Sequence, residues 1–247
     1  MLTDDQKRRY ARHLVLPEVG EAGQEKLLAA SVLVIGAGGL GSSALMALAA
    51  AGVGRLGVVE HDRVELSNLQ RQAMYEMADL GRLKVEAAAD RLSEQNPEVA
   101  LELVPRRLSA ENARERVRGF DVVLDGSDNF ATRFALAEAC AAEKIPLVSA
   151  AISGFEAQLS TFTPYLGAGH PCYRCLVPQA PERERNCAQE GIIGPLAALM
   201  GSWQALEALR VLLGMQTLSG QLLRLDARTM QPRISRLPKD PSCTACA

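Results

Sequence analysis

A chain of 247 residues, 48% of them apolar, can bury a full core, and α/β folds of this size commonly form one domain. A formal charge of -2, with acids and bases interspersed, leaves no basic footprint for a nucleic-acid backbone. The charged N-terminus carries no signal-peptide stretch behind it, so no export is expected, and the apolar segments (44–54 and 192–203) are shorter than the about 20 residues that span a bilayer. The expectation is a cytoplasmic chain whose six cysteines are reduced or metal-bound.

In chain order, residues 1–30 read as an N-terminal helical arm. Ser31-Val32-Leu33-Val34-Ile35 is a β-branched run that ends at a glycine, and 42–51 is helical and rich in Ala and Leu. Short apolar runs recur at 56–60, 99–104, 121–125 and 147–149, with helical patterns at 84–94, 110–117 and 133–143. This alternation predicts a doubly wound, Rossmann-like parallel sheet covered on both faces. After residue 150 the pattern changes: an antiparallel strand at 156–163, a polar crossover loop at 167–189, a long helix at 196–213, and closing strands at 222–226 and 233–237. A loop of that length is long enough to suspect function. The whole is expected to be one unit, 1–247, with no internal repeat.

Gly36-Ala37-Gly38-Gly39-Leu40-Gly41 fits G-x-G-x-x-G in the required place, after a strand and opening a helix. Such glycines permit a tight turn and bring helix N-terminal N–H groups against phosphate oxygens. Glu60 ends the next strand, where an acid accepts hydrogen bonds from ribose hydroxyls. These features alone suit NAD as well as ATP, and a ligand-free glycine turn is the plainer alternative. The charged residues that follow favour ATP: Asp62, then Asn68, Arg71 and Gln72 within Ser67-Asn68-Leu69-Gln70-Arg71-Gln72, then Lys84 and Asp128. Hydride transfer needs no such set. Cleavage between the α and β phosphates builds charge on pyrophosphate, which Arg71 as a bidentate fork, Lys84 as a point charge and a carboxylate-held magnesium would stabilise. Taken singly, Arg71 and Lys84 could be surface charges. Asp128 is the magnesium candidate, and Asp125 or Asn129 is the better candidate for capping the next helix.

Cys172-x-x-Cys175 and Cys243-x-x-Cys246 form two thiolate pairs, the number that saturates a tetrahedral, structural zinc. A disulfide or redox Cys-x-x-Cys is the competing reading. Cys140, in an alanine-rich helix, reads as core. Cys187 stands near arginines that could lower its pKa.

Together the Gly36–Gly41 turn, the 67–72 string, Lys84, Asp125-Gly126-Ser127-Asp128-Asn129 and Cys172-Tyr173-Arg174-Cys175, in this order, resemble the ThiF/MoeB/HesA family, bacterial relatives of ubiquitin-activating enzymes. The similarity runs from Arg9-Tyr10-Ala11-Arg12 to the last Cys-x-x-Cys. It implies a homodimer that uses ATP and magnesium to adenylate the terminal glycine of a ubiquitin-like sulfur carrier ending in Gly-Gly, with sulfur then supplied by a separate sulfurtransferase or cysteine desulfurase. It implies that Arg12 reaches the neighbouring protomer's ATP, and that Glu60 replaces an Asp more usual at the ribose. It places the carrier's tail near Asp128, under the 167–189 loop. Glu184-Arg185-Asn186-Cys187 and Ile152-Ser153-Gly154-Phe155 lean towards the thiamine branch, in which the residue matching Cys187 can bond covalently to the activated carrier; an unreactive loop thiol is the alternative. The molybdopterin branch, an NAD-binding oxidoreductase and a silent carrier-binding scaffold are the rival readings. The chemistry needs no general base, since a terminal carboxyl of pKa about 3.5 is already ionised at neutral pH. His13, His61 and His170 are therefore free to be structural.

Overall fold

The computed structural model describes residues 1–181 and 191–246. The expected runs form strands β1 (Ser31–Ile35), β2 (Arg55–Val59), β3 (Ala100–Val104), β4 (Val122–Asp125) and β5 (Leu147–Ser153), followed by β6 (Glu156–Phe162), β7 (Gln221–Asp226) and β8 (Gln231–Arg236). They make one sheet in the order β3-β2-β1-β4-β5-β6-β7-β8. Neighbours from β3 through β5 are parallel, and β6, β7 and β8 add on antiparallel. The α/β, mainly parallel architecture with an antiparallel C-terminal extension is the one expected. β5 runs four residues beyond the apolar signal at 147–149 because β6 pairs with its whole length, Leu147↔Phe162 to Ser153↔Glu156.

The helices are α1 (Asp4–Arg9), α2 (Ala11–Leu14), α3 (Gly20–Ala29), α4 (Gly39–Ala51), α5 (Lys84–Gln95), α6 (Ala110–Val117), α7 (Phe130–Glu143), α8 (Tyr173–Leu176) and, after the described residues resume, α9 (Gly194–Leu212). Successive residues of β1 serve opposite faces, as a strand's period of two requires. Val32 and Val34 pack with Leu45 and Leu48 of α4, Leu92 of α5 and Met200 of α9. Leu33 and Ile35 join Val117 of α6 and Leu136 of α7 on the other side. With both faces covered, all five residues of β1 are buried.

The arm made by α1 and α2 is fastened to the far end of α4. Tyr10 is 2% exposed and accepts a hydrogen bond from Asn96 Nδ2 at 3.0 Å. Its ring lies so close to Gly52 (φ +81°) that a Cβ there would sit 2.5 Å away. Gln24 Nε2 donates to the Ala51 carbonyl at 3.0 Å, which leaves its Oε1 to accept from His13 Nδ1 at 2.8 Å. His13 is thus structural.

The antiparallel end is built differently. Every residue of β8 is exposed, and Pro232 interrupts the strand's donors, as suits an edge. Among the described residues, no helix is long and apolar enough to cross a membrane.

Candidate active site

The order β2-β1-β4 reverses the direction of chain progress at β1, and the carboxyl ends of strands at such a switch point open a crevice. There the structure has a cleft of ≈ 1140 Å³, ample for a nucleotide with room left for an extended peptide.

Its floor is the glycine turn. Gly36 takes φ +84°, in the left-handed region that a side chain disfavours. A Cβ on Gly41 would lie 1.8 Å from the Gly36 carbonyl oxygen, so the third glycine permits the close return of α4 onto the strand. Gly38 and Gly39 line the cleft and open α4, which begins three residues before the apolar pattern at 42 suggested. Tyr75 Oη donates to the Ala37 carbonyl at 2.8 Å and clamps the turn from below; burial pushes this phenol well above its ordinary pKa.

Glu60 is buried at the end of β2, and backbone groups hold its carboxylate. Oε2 accepts from Ala37 N at 3.0 Å, and Oε1 from His61 N at 2.7 Å and Asp62 N at 2.9 Å. These bonds tie the glycine turn to β2 and fix the acid at the cleft wall, with lone pairs remaining for a ligand. His61 lies between two acids, 3.7 Å from Glu60 and 3.4 Å from Asp62.

Lys84 opens α5, and only 7% of its side chain is exposed. Its Nζ lies 3.4 Å from Asp62 Oδ2, and its N–H donates to the Asp62 carbonyl at 2.9 Å. A buried lysine facing the cleft is not a solvated surface charge. Arg71 Nη1 donates to the Ser67 carbonyl at 2.8 Å, which holds the guanidinium along the rim beside Gly39. Asn68 is buried, and its Oδ1 accepts from Glu65 N at 3.2 Å, shaping the turn that presents Arg71. Gln72 is buried too, its Oε1 has no partner, and its amide stands nearest to Gly38.

Across the cleft, Asp125 is consumed by structure: its carboxylate accepts from Ser127 N, Ser127 Oγ and Ser149 Oγ at 3.0, 2.6 and 2.8 Å. Asn129 caps α7 by accepting from Thr132 N at 2.9 Å. Asp128 is left exposed at the cleft, a hard oxygen donor of the kind magnesium takes.

The sequence reading passed over Arg133. It lies in the first turn of α7, is 9% exposed, lines the cleft, and donates to the Ser127 carbonyl at 2.8 Å. Burial works against its charge, but Asp125, then Tyr173 and more weakly Asp128 together outweigh that and raise its pKa. Arg106 and Arg107, after β3, line the cleft as well.

The structure does not bring Arg12 into this cleft. It is exposed on α2, at the Ala51–Gly52 end of α4, whereas the glycine turn is at the other end, about 20 Å away along a 13-residue helix. Cys187 and the whole Glu184-Arg185-Asn186-Cys187 string lie outside the described residues, as does the 182–189 part of the crossover loop.

The four cysteines of the two Cys-x-x-Cys pairs converge away from the cleft. Their sulfurs all lie within 4.8 Å of one another, with Cys172–Cys243 at 3.6 Å, Cys175–Cys246 at 3.5 Å and Cys172–Cys175 at 3.9 Å. Tetrahedral zinc with Zn–S of about 2.3 Å holds sulfurs about 3.8 Å apart, whereas a disulfide needs about 2.05 Å. The cluster therefore fits a four-thiolate metal, and the Asp240 N–H donates to Cys175 Sγ at 3.4 Å as an outer-shell bond. Tyr173 seats the cluster on the core, edge-on to Phe134 and Phe162 at 5.5 and 5.6 Å. Cys140 is buried in α7, as expected of a core thiol.

Known proteins share both this chain's sequence and its fold. It is 47% identical over 99% of its length to the Sulfur carrier protein adenylyltransferase of Thermus thermophilus, covering 92% of that protein. It is 42% identical to the Sulfur carrier protein ThiS adenylyltransferase of Escherichia coli, covering 99% of this chain and 97% of that one. Among solved structures, E. coli MccB bound to MccA-N7isoASN superposes with a TM-score of 0.84 over 97% of this chain and 75% of that one; at 19% identity it speaks for the fold alone. The profile described as the ThiF family matches residues 10–245, and with full-length relatives at these identities the chain belongs to the ThiF family.

Proposed function

We propose that the protein is a nucleotidyltransferase that adenylates the C-terminal glycine carboxylate of a ubiquitin-like sulfur-carrier protein: carrier carboxylate plus Mg·ATP gives carrier acyl-adenylate plus pyrophosphate. The observation that carries this reading is the convergence, in one cleft, of the glycine turn, Arg71, buried Lys84 and exposed Asp128, in a chain of the ThiF family.

The carrier carboxylate attacks the α-phosphorus directly, and the electron pair of the broken P–O bond leaves with pyrophosphate. Arg71 and Lys84 neutralise that departing charge, where a preorganised cation acts most strongly on the transition state. Helix N-terminal N–H groups of α4 cradle the phosphates, and Glu60 takes the ribose. Asp128 would hold magnesium, which supplies further screening of phosphate charge. Arg12 completes the site of a second protomer, since its own cleft is about 20 Å away. The four cysteines bind a structural zinc that fastens the chain after β8 to the base of the crossover loop.

The thiamine branch is adopted on Ile152-Ser153-Gly154-Phe155 and on Glu184-Arg185-Asn186-Cys187. The molybdopterin branch would use the same cleft with a different carrier, so assays with each carrier decide between them. The test is exchange of labelled pyrophosphate into ATP, expected only when a carrier with an intact Gly-Gly terminus is present. Equal exchange without any carrier, or none with any Gly-Gly carrier of the host, would sink the reading. Titration with ATP and with NADH separates it from nicotinamide chemistry.

A further inference from the structure

One face of α9 touches, in turn, each of the segments that build the cleft. A Cβ on Gly194 would lie 2.2 Å from the Gln70 carbonyl oxygen, next to Arg71. Ala197 Cβ is 3.1 Å from where a Cβ of Gly39 would stand, and a Cβ on Gly201 would lie 2.2 Å from the Leu40 carbonyl oxygen. These positions recur at the helical spacing of three and four, so they share one stripe. The next residue of the stripe is Gln204. It is fully buried, and its Nε2 donates to the carbonyl of Asp125 at 2.8 Å and to that of Val148 at 3.3 Å. Its Oε1 is buried with no partner. A side chain that leaves a polar atom unpaired in the core is a costly choice if it serves packing alone, because an apolar residue would avoid the desolvation.

We propose that Gln204 is a positioning residue for the adenylation reaction: through the Asp125 carbonyl it fixes the end of β4, and so the placement of Gly126, Ser127 and Asp128 against the glycine turn. The contact has little slack. Gly126 N donates to the Ile35 carbonyl at 2.9 Å, and a Cβ on Gly36 would lie 2.9 Å from the Gly126 oxygen. Any drift of the β4 end thus moves Asp128 relative to the bound phosphates. The small residues of the stripe let α9 approach, and Gln204 adds directional bonds to the carbonyls of Asp125 and Val148. One turn further on, Glu207 is buried too, but its partners are Thr161 Oγ1 at 2.6 Å, the Leu218 N–H and Arg210, none of which lines the cleft. It therefore serves as a control for destabilisation alone.

The inference rests on the adenylation reading for its consequence in turnover, but not for its structural part. Gln204→Met keeps length and volume and donates nothing. In the unliganded protein, amide exchange at Gly126, Ser127 and Asp128 should speed up about tenfold or more, the effect of leaving buried carbonyls without their donor. Amides of α4 and around Cys175 should keep wild-type rates. Carrier-dependent turnover should fall by a similar factor, with KM for ATP within about twofold, since the glycine turn and Arg71 stay in place. Glu207→Gln should lower the Tm with neither effect. Gln204→Asn, which keeps the amide but draws it back by one methylene, should show the same pattern at smaller size and covers the case in which Gln204→Met does not fold. Wild-type exchange at 126–128 in the folded variants, or turnover lost only in proportion to unfolded protein, overturns the proposal. A wild-type chain that exchanges no pyrophosphate with any carrier counts against the adenylation reading instead, and the amide-exchange result still decides whether Gln204 holds the β4 end.

Discussion

The two ends of the sheet are held together by different means. At β1, β2 and β4 the backbone comes so close to itself that glycine is obligatory, and the strands are buried on both faces. At β7 and β8 one strand is wholly exposed, and the chain beyond it is fixed by four sulfurs around one point. The first region gains its precision from dense packing; the second has less apolar surface to pack, and in the proposed zinc clip its four cysteines would replace packing with a few strong bonds to a metal ion. Precision from packing suits a site that must place phosphates to a fraction of an ångström, and the proposed metal clip would fasten the chain after β8 to the segment around Cys172 and Cys175.

The largest effect should come from breaking the packed region. Gly41→Ala sets a methyl 1.8 Å from the Gly36 oxygen, and backbone cannot yield as a flexible side chain would. Loss of ATP binding by titration calorimetry, with most of the protein misfolded by circular dichroism, is the expected outcome; a folded variant with wild-type ATP affinity would show that the turn tolerates what its geometry forbids.

Next come the charged side chains that the packed floor carries but that do not hold it. Asp128→Ala and Arg12→Ala should each fold with a Tm near wild type, because both residues are exposed, and each should be nearly inactive. If the proposed dimer shares its sites, an equal mixture after subunit exchange contains about half mixed dimers, each with one intact site, and regains roughly one quarter of wild-type activity. A mixture as dead as its parents, with exchange verified by tagged subunits, would remove the trans role of Arg12.

The smallest effect on chemistry should come from the clip. About one zinc per chain should be found by metal analysis, and Cys243→Ser should lose it and lower the Tm while the folded fraction keeps residual turnover. Reduced, freshly purified protein without zinc would refute this, and complete loss of turnover at full folding would show that the two regions are not separate.

Much of this was legible in the sequence because its signals are local. β-Branched runs marked β1 to β4 to within a residue or so, and the glycine spacing marked the turn. Two Cys-x-x-Cys pairs foretold a cluster, though only the fold brings residues 172 and 243 to 3.6 Å. Where the signal was missed, tertiary structure carries it. The second half of β5, Ala150 to Ser153, is too small and mixed to read as strand until β6 pairs with it. Arg133 looks like an ordinary charge at the start of a helix, and only the folded cleft buries it and sets it near Asp125. Gln204 sits in an apolar helix where nothing local distinguishes it from a tolerated polar residue; its role depends on a carbonyl 79 residues earlier in the chain.

The fastening of the N-terminal arm has an entropic consequence. An arginine delivered to a neighbour on a loose tail would surrender the freedom of several residues every time it engaged, at roughly 1 to 2 kcal/mol for each backbone unit ordered. Here Tyr10 and His13, on either side of Arg12, are already locked to Asn96 and Gln24. The ordering cost is met when the chain folds, and in the proposed shared site only the long guanidinium side chain itself would remain to be stilled on reaching the neighbour's nucleotide.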